Sequence, residues 1–132
     1  MQHLPSLDWQ GHIDCGRKYL KTADNGRSRP AVFTSELIYQ LTAMAIEQLL
    51  VGLWQYHNQM PTDHTLDGLV DGLEEICPLE KELAEGIKDL AHFDDMCPLV
   101  PVNRRIPTDV EIQAMLMTAR QVSAFALSRV TP

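Results

Sequence analysis

The sequence predicts an all-α fold, an up-and-down bundle of about five helices. Three observations lead there. Apolar residues recur at steps of three and four along successive stretches, the period of a helix with one buried face. Helix formers (Leu, Ala, Glu, Gln, Met) are common, while β-branched alternation is nearly absent. One stretch, TSELIYQLTAMAIEQLLVGLWQYH at 34–57, is apolar on nearly every side. A helix of that kind must be covered on several sides, so it belongs at the centre of a bundle or between a bundle and a partner. The 132 residues suit one domain spanning 1–132 with one core, large enough to need no metal or disulfide.

The first helix is expected over about 8–23, with a modest pattern from Ile13, Gly16 and Leu20. Asp24-Asn25-Gly26 then reads as a stop, and residues 27–30 as a linker. Thr34 or Ser35 can cap the long second helix, which should end at 56–59, ahead of Pro61. Leu66, Leu69, Val70, Leu73 and Ile76 give the third helix its stripe, and Cys77-Pro78 breaks it. The fourth is expected to begin at Pro78, which suits a first helical turn, and to end around 94–96. Residues 97–107, CPLVPVNRRIP, hold three prolines and must be an extended loop. Thr108 with Glu111 three residues later is a capping-box signature, opening a last helix through Val130.

Charge and cysteine usage exclude several classes. The net charge is −7. Residues 61–95 carry eleven acids against Lys81 and Lys88, whereas 96–132 carry four arginines against Asp109 and Glu111. General nucleic-acid binding leaves a basic footprint, so none is expected. The N-terminal stretch lacks the basic and apolar regions of a signal peptide, and the central helix is interrupted by Glu36, Gln40, Glu47 and Gln48; no membrane span is expected. Three scattered cysteines without CxxC fit a reducing, cytoplasmic setting.

Three motifs in order give the chain a resemblance to the HEPN family (higher eukaryotes and prokaryotes nucleotide-binding). AIEQLLVGL at 45–53 looks like the central-helix signature, with Glu47 after small residues. Thr62-Asp63-His64-Thr65-Leu66 with Leu69 looks like the family's Thr-His-x-Leu-x-x-Leu helix start. Asn103-Arg104-Arg105-Ile106-Pro107 looks like its Arg-Tyr-Pro-Asp loop, with Ile106 and Thr108 in place of Tyr and Asp. The resemblance implies a helical bundle that often forms homodimers, and a small nucleotidyltransferase as a partner. Some members are metal-independent ribonucleases that carry Arg, four to six residues, then His near the last helix. That motif is missing here: no His follows Arg104, Arg105, Arg120 or Arg129. The expectation is therefore a non-catalytic binding and dimerisation module that uses no cofactor. The alternatives are a divergent ribonuclease with His64 as base and, more remotely, a metal-dependent nucleotide hydrolase.

Individual residues sharpen these expectations. Arg104 and Arg105 precede a helix N-terminus and could grip a phosphate by paired hydrogen bonds, with His64 as a second contact for a nucleotide or another anion. Glu47 sits in the most apolar helix, where a buried acid needs a partner; Arg104, Arg105, Arg17 and His64 are the candidates. Thr108 and Glu111 are read as structural caps. His92 with Asp94 and Asp95, and the acids Glu74, Glu75, Glu82, Glu85 and Asp89, are read as helix-end and solvated charge, not as metal ligands. No catalytic residue and no metal site is assigned. The excess apolar surface of 34–57 motivates a homodimer.

Overall fold

The first helix, α1 (Trp9–Gly26), opens where the Asp8 side chain accepts a hydrogen bond from the Gly11 amide at 2.8 Å. The computed structural model describes residues 8–93 and 106–130, and these form five helices. After α1 come α2 (Ser35–Tyr56), α3 (Leu66–Leu73), α4 (Lys81–Ala91) and α5 (Asp109–Arg129). The all-helical bundle is as the sequence predicts.

Helix α1 continues through Asp24-Asn25-Gly26, three residues beyond the expected stop. Two tertiary contacts account for this. Asp24 receives the Arg120 guanidinium of α5, with Nε 3.3 Å from Oδ2. Gly26 is buried under the Phe33 ring, which leaves no room for a Cβ. Thr34 caps α2 by accepting from the Leu37 amide at 3.2 Å. Asn58, at φ 60, ends α2 in the left-handed conformation that asparagine tolerates, and the Gln59 amide turns back to the Trp54 carbonyl at 3.0 Å.

Helix α4 starts at Lys81, not at Pro78. Leu79 is buried, and Glu80 is extended at ψ 144, so the segment after Pro78 dips into the core before the helix can wind. At the other end α4 stops at Ala91 instead of running to 94–96. Helix α5 begins as predicted: the Glu111 amide donates to the Thr108 hydroxyl at 3.2 Å, and the Thr108 amide donates to the Glu111 carboxylate at 3.0 Å.

The helices pack around α2. Gly16 of α1 lies against Ala45 and Leu49, and Gly52 of α2 lies against Ile13 and Trp9, so α1 and α2 run antiparallel in close approach. The core is Ile46, Leu49, Leu50 and Leu53 of α2 with Leu69 and Leu73 of α3, Ile87 of α4, and Leu116 and Val122 of α5, all inaccessible to solvent. Thr42 is buried among them, its hydroxyl donating to the Ile38 carbonyl at 2.7 Å. Glu47 of α2 faces His64 at the start of α3, whereas Trp54, further along α2, donates its indole N–H to the Leu69 carbonyl at 3.1 Å. The chain therefore doubles back after α2, and α3 rises beside it in the same sense.

Among the described residues α2 is the one helix long and apolar enough to cross a membrane by length and composition. In the bundle it is a core helix, exposed only at Glu36, Gln40 and Met44. The excess apolar surface expected of it is thus taken up by α1, α3, α4 and α5, and does not by itself call for a second copy.

Candidate functional site

The polar side chains that the fold gathers lie where α3 begins. Pro61 is buried and anchors the turn. The Asp63 carboxylate accepts from the Thr65 amide at 2.9 Å, and Thr65 in turn caps α3 by accepting from the Gly68 amide at 3.1 Å. Hydrogen bonds from the Thr65 backbone and hydroxyl hold the Asp63 carboxyl below its ordinary value. His64, between these two, projects outward, its side chain 54% exposed and its Nδ1 3.8 Å from the Glu47 carboxylate.

This arrangement corrects the expectation for Glu47. Its side chain is 38% exposed, so it is a rim residue and not a buried charge. Helix α3 spans only eight residues and leaves this edge of α2 open to water. Such an ion pair contributes under about 1 kcal/mol, not the roughly 3–5 kcal/mol that a buried one would. Glu47→Gln is accordingly expected to unfold within about 1 kcal/mol of the parent in a urea titration.

A second imidazole stands one helix away. His92, the C-cap of α4, bonds through Nε2 to the Asp67 carboxylate of α3, and Lys88 Nζ donates to Asp71 at 2.7 Å. The Asp71 bond raises the Lys88 pKa above its ordinary value. The other oxygen of Asp67 is buried without a hydrogen-bond partner. Tyr39, Ala43, Thr65, Leu66, Asp67 and His92 line a groove of about 400 Å³ here. The Tyr39 hydroxyl closes one end of it by donating to the Leu90 carbonyl at 3.2 Å. On the far side of His92, a cleft of about 470 Å³ separates α4 from α5, with Asp89 and Glu111 on its rim and Phe93 and Met115 among its apolar walls.

Chemically, this is a shallow rim of two imidazoles, each opposite a carboxylate. It offers no arginine among the described residues; its cation besides the imidazoles is Lys88, already bonded to Asp71. Arg104 and Arg105 lie outside the described residues, as do Asp94 and Asp95. The structure therefore brings together His64 and Glu47, and Thr108 and Glu111, and leaves the arginines unplaced. The N-terminus of α5 already faces the carboxylates of Asp109 and Glu111, which meet part of the field that would attract an anion. No group of three or more metal-binding side chains occurs among the described residues.

The Asp67–His92 bond is not among the expectations, although the sequence holds a signal for it. Asp67 and Asp71 are four residues apart, and so are Lys88 and His92. Two acids on one helix face and two bases at the same step on the next form a ladder when the helices run antiparallel. The His12–Gln48 hydrogen bond, at 2.7 Å between α1 and α2, likewise lies beyond them.

Comparison with solved structures finds TT1696 from Thermus thermophilus. The match has a TM-score of 0.75 at 21% sequence identity, and covers 92% of this chain and 98% of that one. The two chains share a fold. At that identity the likeness speaks for the architecture alone. Neither a protein-family model nor a curated protein matches the chain.

Proposed function

We propose that this chain is a HEPN-like binding and dimerisation module, accessory to nucleotide chemistry carried out by a partner protein such as a small nucleotidyltransferase, and not itself a catalyst. One observation carries the reading. Two of the three segments that resemble the family, 45–53 and 62–69, pack together so that Glu47 and His64, seventeen positions apart in sequence, face each other across 3.8 Å. The third segment leads into the capped α5, in the order the resemblance requires. The ligand fitting this reading is a nucleotide, with its phosphate held by Arg104 and Arg105 and His64 as a further contact.

Calorimetric titration of a nucleotide panel tests it. The parent is expected to bind at least one nucleotide. The double variant Arg104→Ala/Arg105→Ala is expected to lose roughly 1.5–3 kcal/mol of that binding while keeping its melting temperature, because a charged hydrogen bond to phosphate is worth that much and an exposed arginine little to stability. RNA incubated with the protein, with or without chelator, is expected to remain intact. Cleavage indifferent to chelator would replace the proposal with a ribonuclease, and magnesium-dependent hydrolysis of a nucleotide would replace it with a hydrolase.

A further inference from the structure

Charge on this protein is divided between two sides of α2. The acidic helices α3 and α4 pack against α2 and not against α1, so the balance of −7 for the whole chain hides what α1 carries. Between 17 and 29 stand Arg17, Lys18, Lys21, Arg27 and Arg29, against the single acid Asp24. All five cations are exposed, and among the described residues none is in an ion pair. Asp24 is itself taken up by Arg120 of α5, and Asp14, one turn before Arg17, lowers the local charge by one. At about 3.6 residues per turn, Arg17, Lys18 and Lys21 fall within an arc of about 100°. That arc is turned away from the buried Gly16 and Leu20. Arg27 and Arg29 follow directly beyond the helix end, so the cations run over about 15 Å.

We infer that this side of α1 holds the phosphodiester backbone of a nucleic acid, by charge and without reading bases. Three features select that partner. Five unpaired cations in thirteen residues form the local basic stripe that a polyanion neutralises, releasing its counterions. The remaining exposed residues of α1 are polar, among them Gln10, Thr22 and Asn25, and no large apolar side chain on this helix is exposed. A protein partner would call for an apolar centre, where lysine is scarce. Tyr19 is half-buried against the core, which leaves the face without an exposed ring for a base to stack on. Lastly, α3 and α4 stand two helix packings away, about 16–20 Å axis to axis, against a screening length of about 8 Å in physiological salt. Their acids do not repel a strand lying on α1. The sequence expectation of no nucleic-acid binding follows from the charge of the whole chain, which the fold divides. The inference uses no residue of the nucleotide reading above and stands apart from it.

Fluorescence anisotropy of a labelled single-stranded RNA and a labelled DNA duplex, each about 20 nucleotides long and titrated with the full chain, tests this and separates strand from duplex. Dissociation constants on the order of 1–100 µM are expected at physiological salt, and affinity should fall about a hundredfold between about 50 and 200 mM salt. Lys18→Ala/Lys21→Ala should weaken binding about tenfold at low salt and flatten the salt dependence, with the melting temperature unchanged. Arg27→Ala/Arg29→Ala is a second probe of the same stripe and should act in the same direction. Lys81→Glu makes an equal change in net charge on α4 and should leave binding within about twofold of the parent. No binding of either probe at low salt overturns the inference. A loss from Lys81→Glu as large as that from Lys18→Ala/Lys21→Ala overturns it as well, by assigning the effect to net charge. Polyglutamate bound as tightly as the polynucleotides would replace the nucleic acid with an acidic protein surface. The calorimetry with mononucleotides reads the other site separately, through Arg104 and Arg105.

Discussion

Replacing Leu50 by alanine is expected to lower the unfolding free energy by about 3 kcal/mol, within the range found for buried leucines. Leu50 is inaccessible to solvent in the second half of α2, the helix against which all the others pack. Truncation there removes apolar contacts on several sides, and no single neighbour can collapse to fill the space. The melting temperature should fall by roughly 10 °C, followed by circular dichroism at one fixed protein concentration. Met44→Ala supplies the contrast on the same helix, since Met44 is 42% exposed. A Leu50→Ala protein that melts within about two degrees of the parent would mean that α2 is not the core helix.

The second large effect is expected at Gly16. A Cβ there would stand 2.7 Å from Leu49 Cγ and 2.9 Å from the Ala45 carbonyl oxygen. The leucine can turn away, but the carbonyl belongs to the backbone of α2 and moves only if the helices separate. Gly16→Val should therefore cost about 3 kcal/mol through overpacking, read by urea unfolding. The carbonyl contact makes a stricter demand: Leu49→Ala added to Gly16→Val should not recover the loss, because trimming the side chain leaves the oxygen in place. Recovery would assign the closeness of α1 and α2 to side-chain packing alone. Gly86 offers a control. Its Cβ would meet the Thr118 hydroxyl at 3.1 Å and nothing nearer, so alanine there should cost little or gain slightly from helix propensity.

What can be read in advance follows from the range of the forces involved. Caps act within one turn, and Thr34 and Thr108 with Glu111 stand in the sequence three residues from the amides and side chains they meet. Helix ends set by distant contacts are not legible in that way. The end of α1 depends on Arg120, ninety-six positions away, and the start of α4 on the burial of Leu79. The exposure of Glu47 is hidden for a related reason. When a helix is apolar on nearly all sides, its periodicity no longer indicates which edge faces water. That edge is settled by how short α3 turns out to be. Of the candidate site, the Glu47–His64 pairing is legible as one of several options. The Asp67–His92 bond escapes a residue-by-residue reading because each partner, taken singly, looks like ordinary helix-end charge.

The doubling back of the chain after α2 bears on how the protein is made. The first two helices form a hairpin of near neighbours in sequence, which can assemble as soon as both have left the ribosome. Helix α5 packs against α1, α2 and α4, and supplies Leu116, Ala119, Val122 and Ala126 to the interior. Until those last residues are synthesised, the most apolar helix of the chain has an open side. The nascent protein thus passes through a stage in which α2 is partly uncovered and can be bound by a chaperone or lost to aggregation.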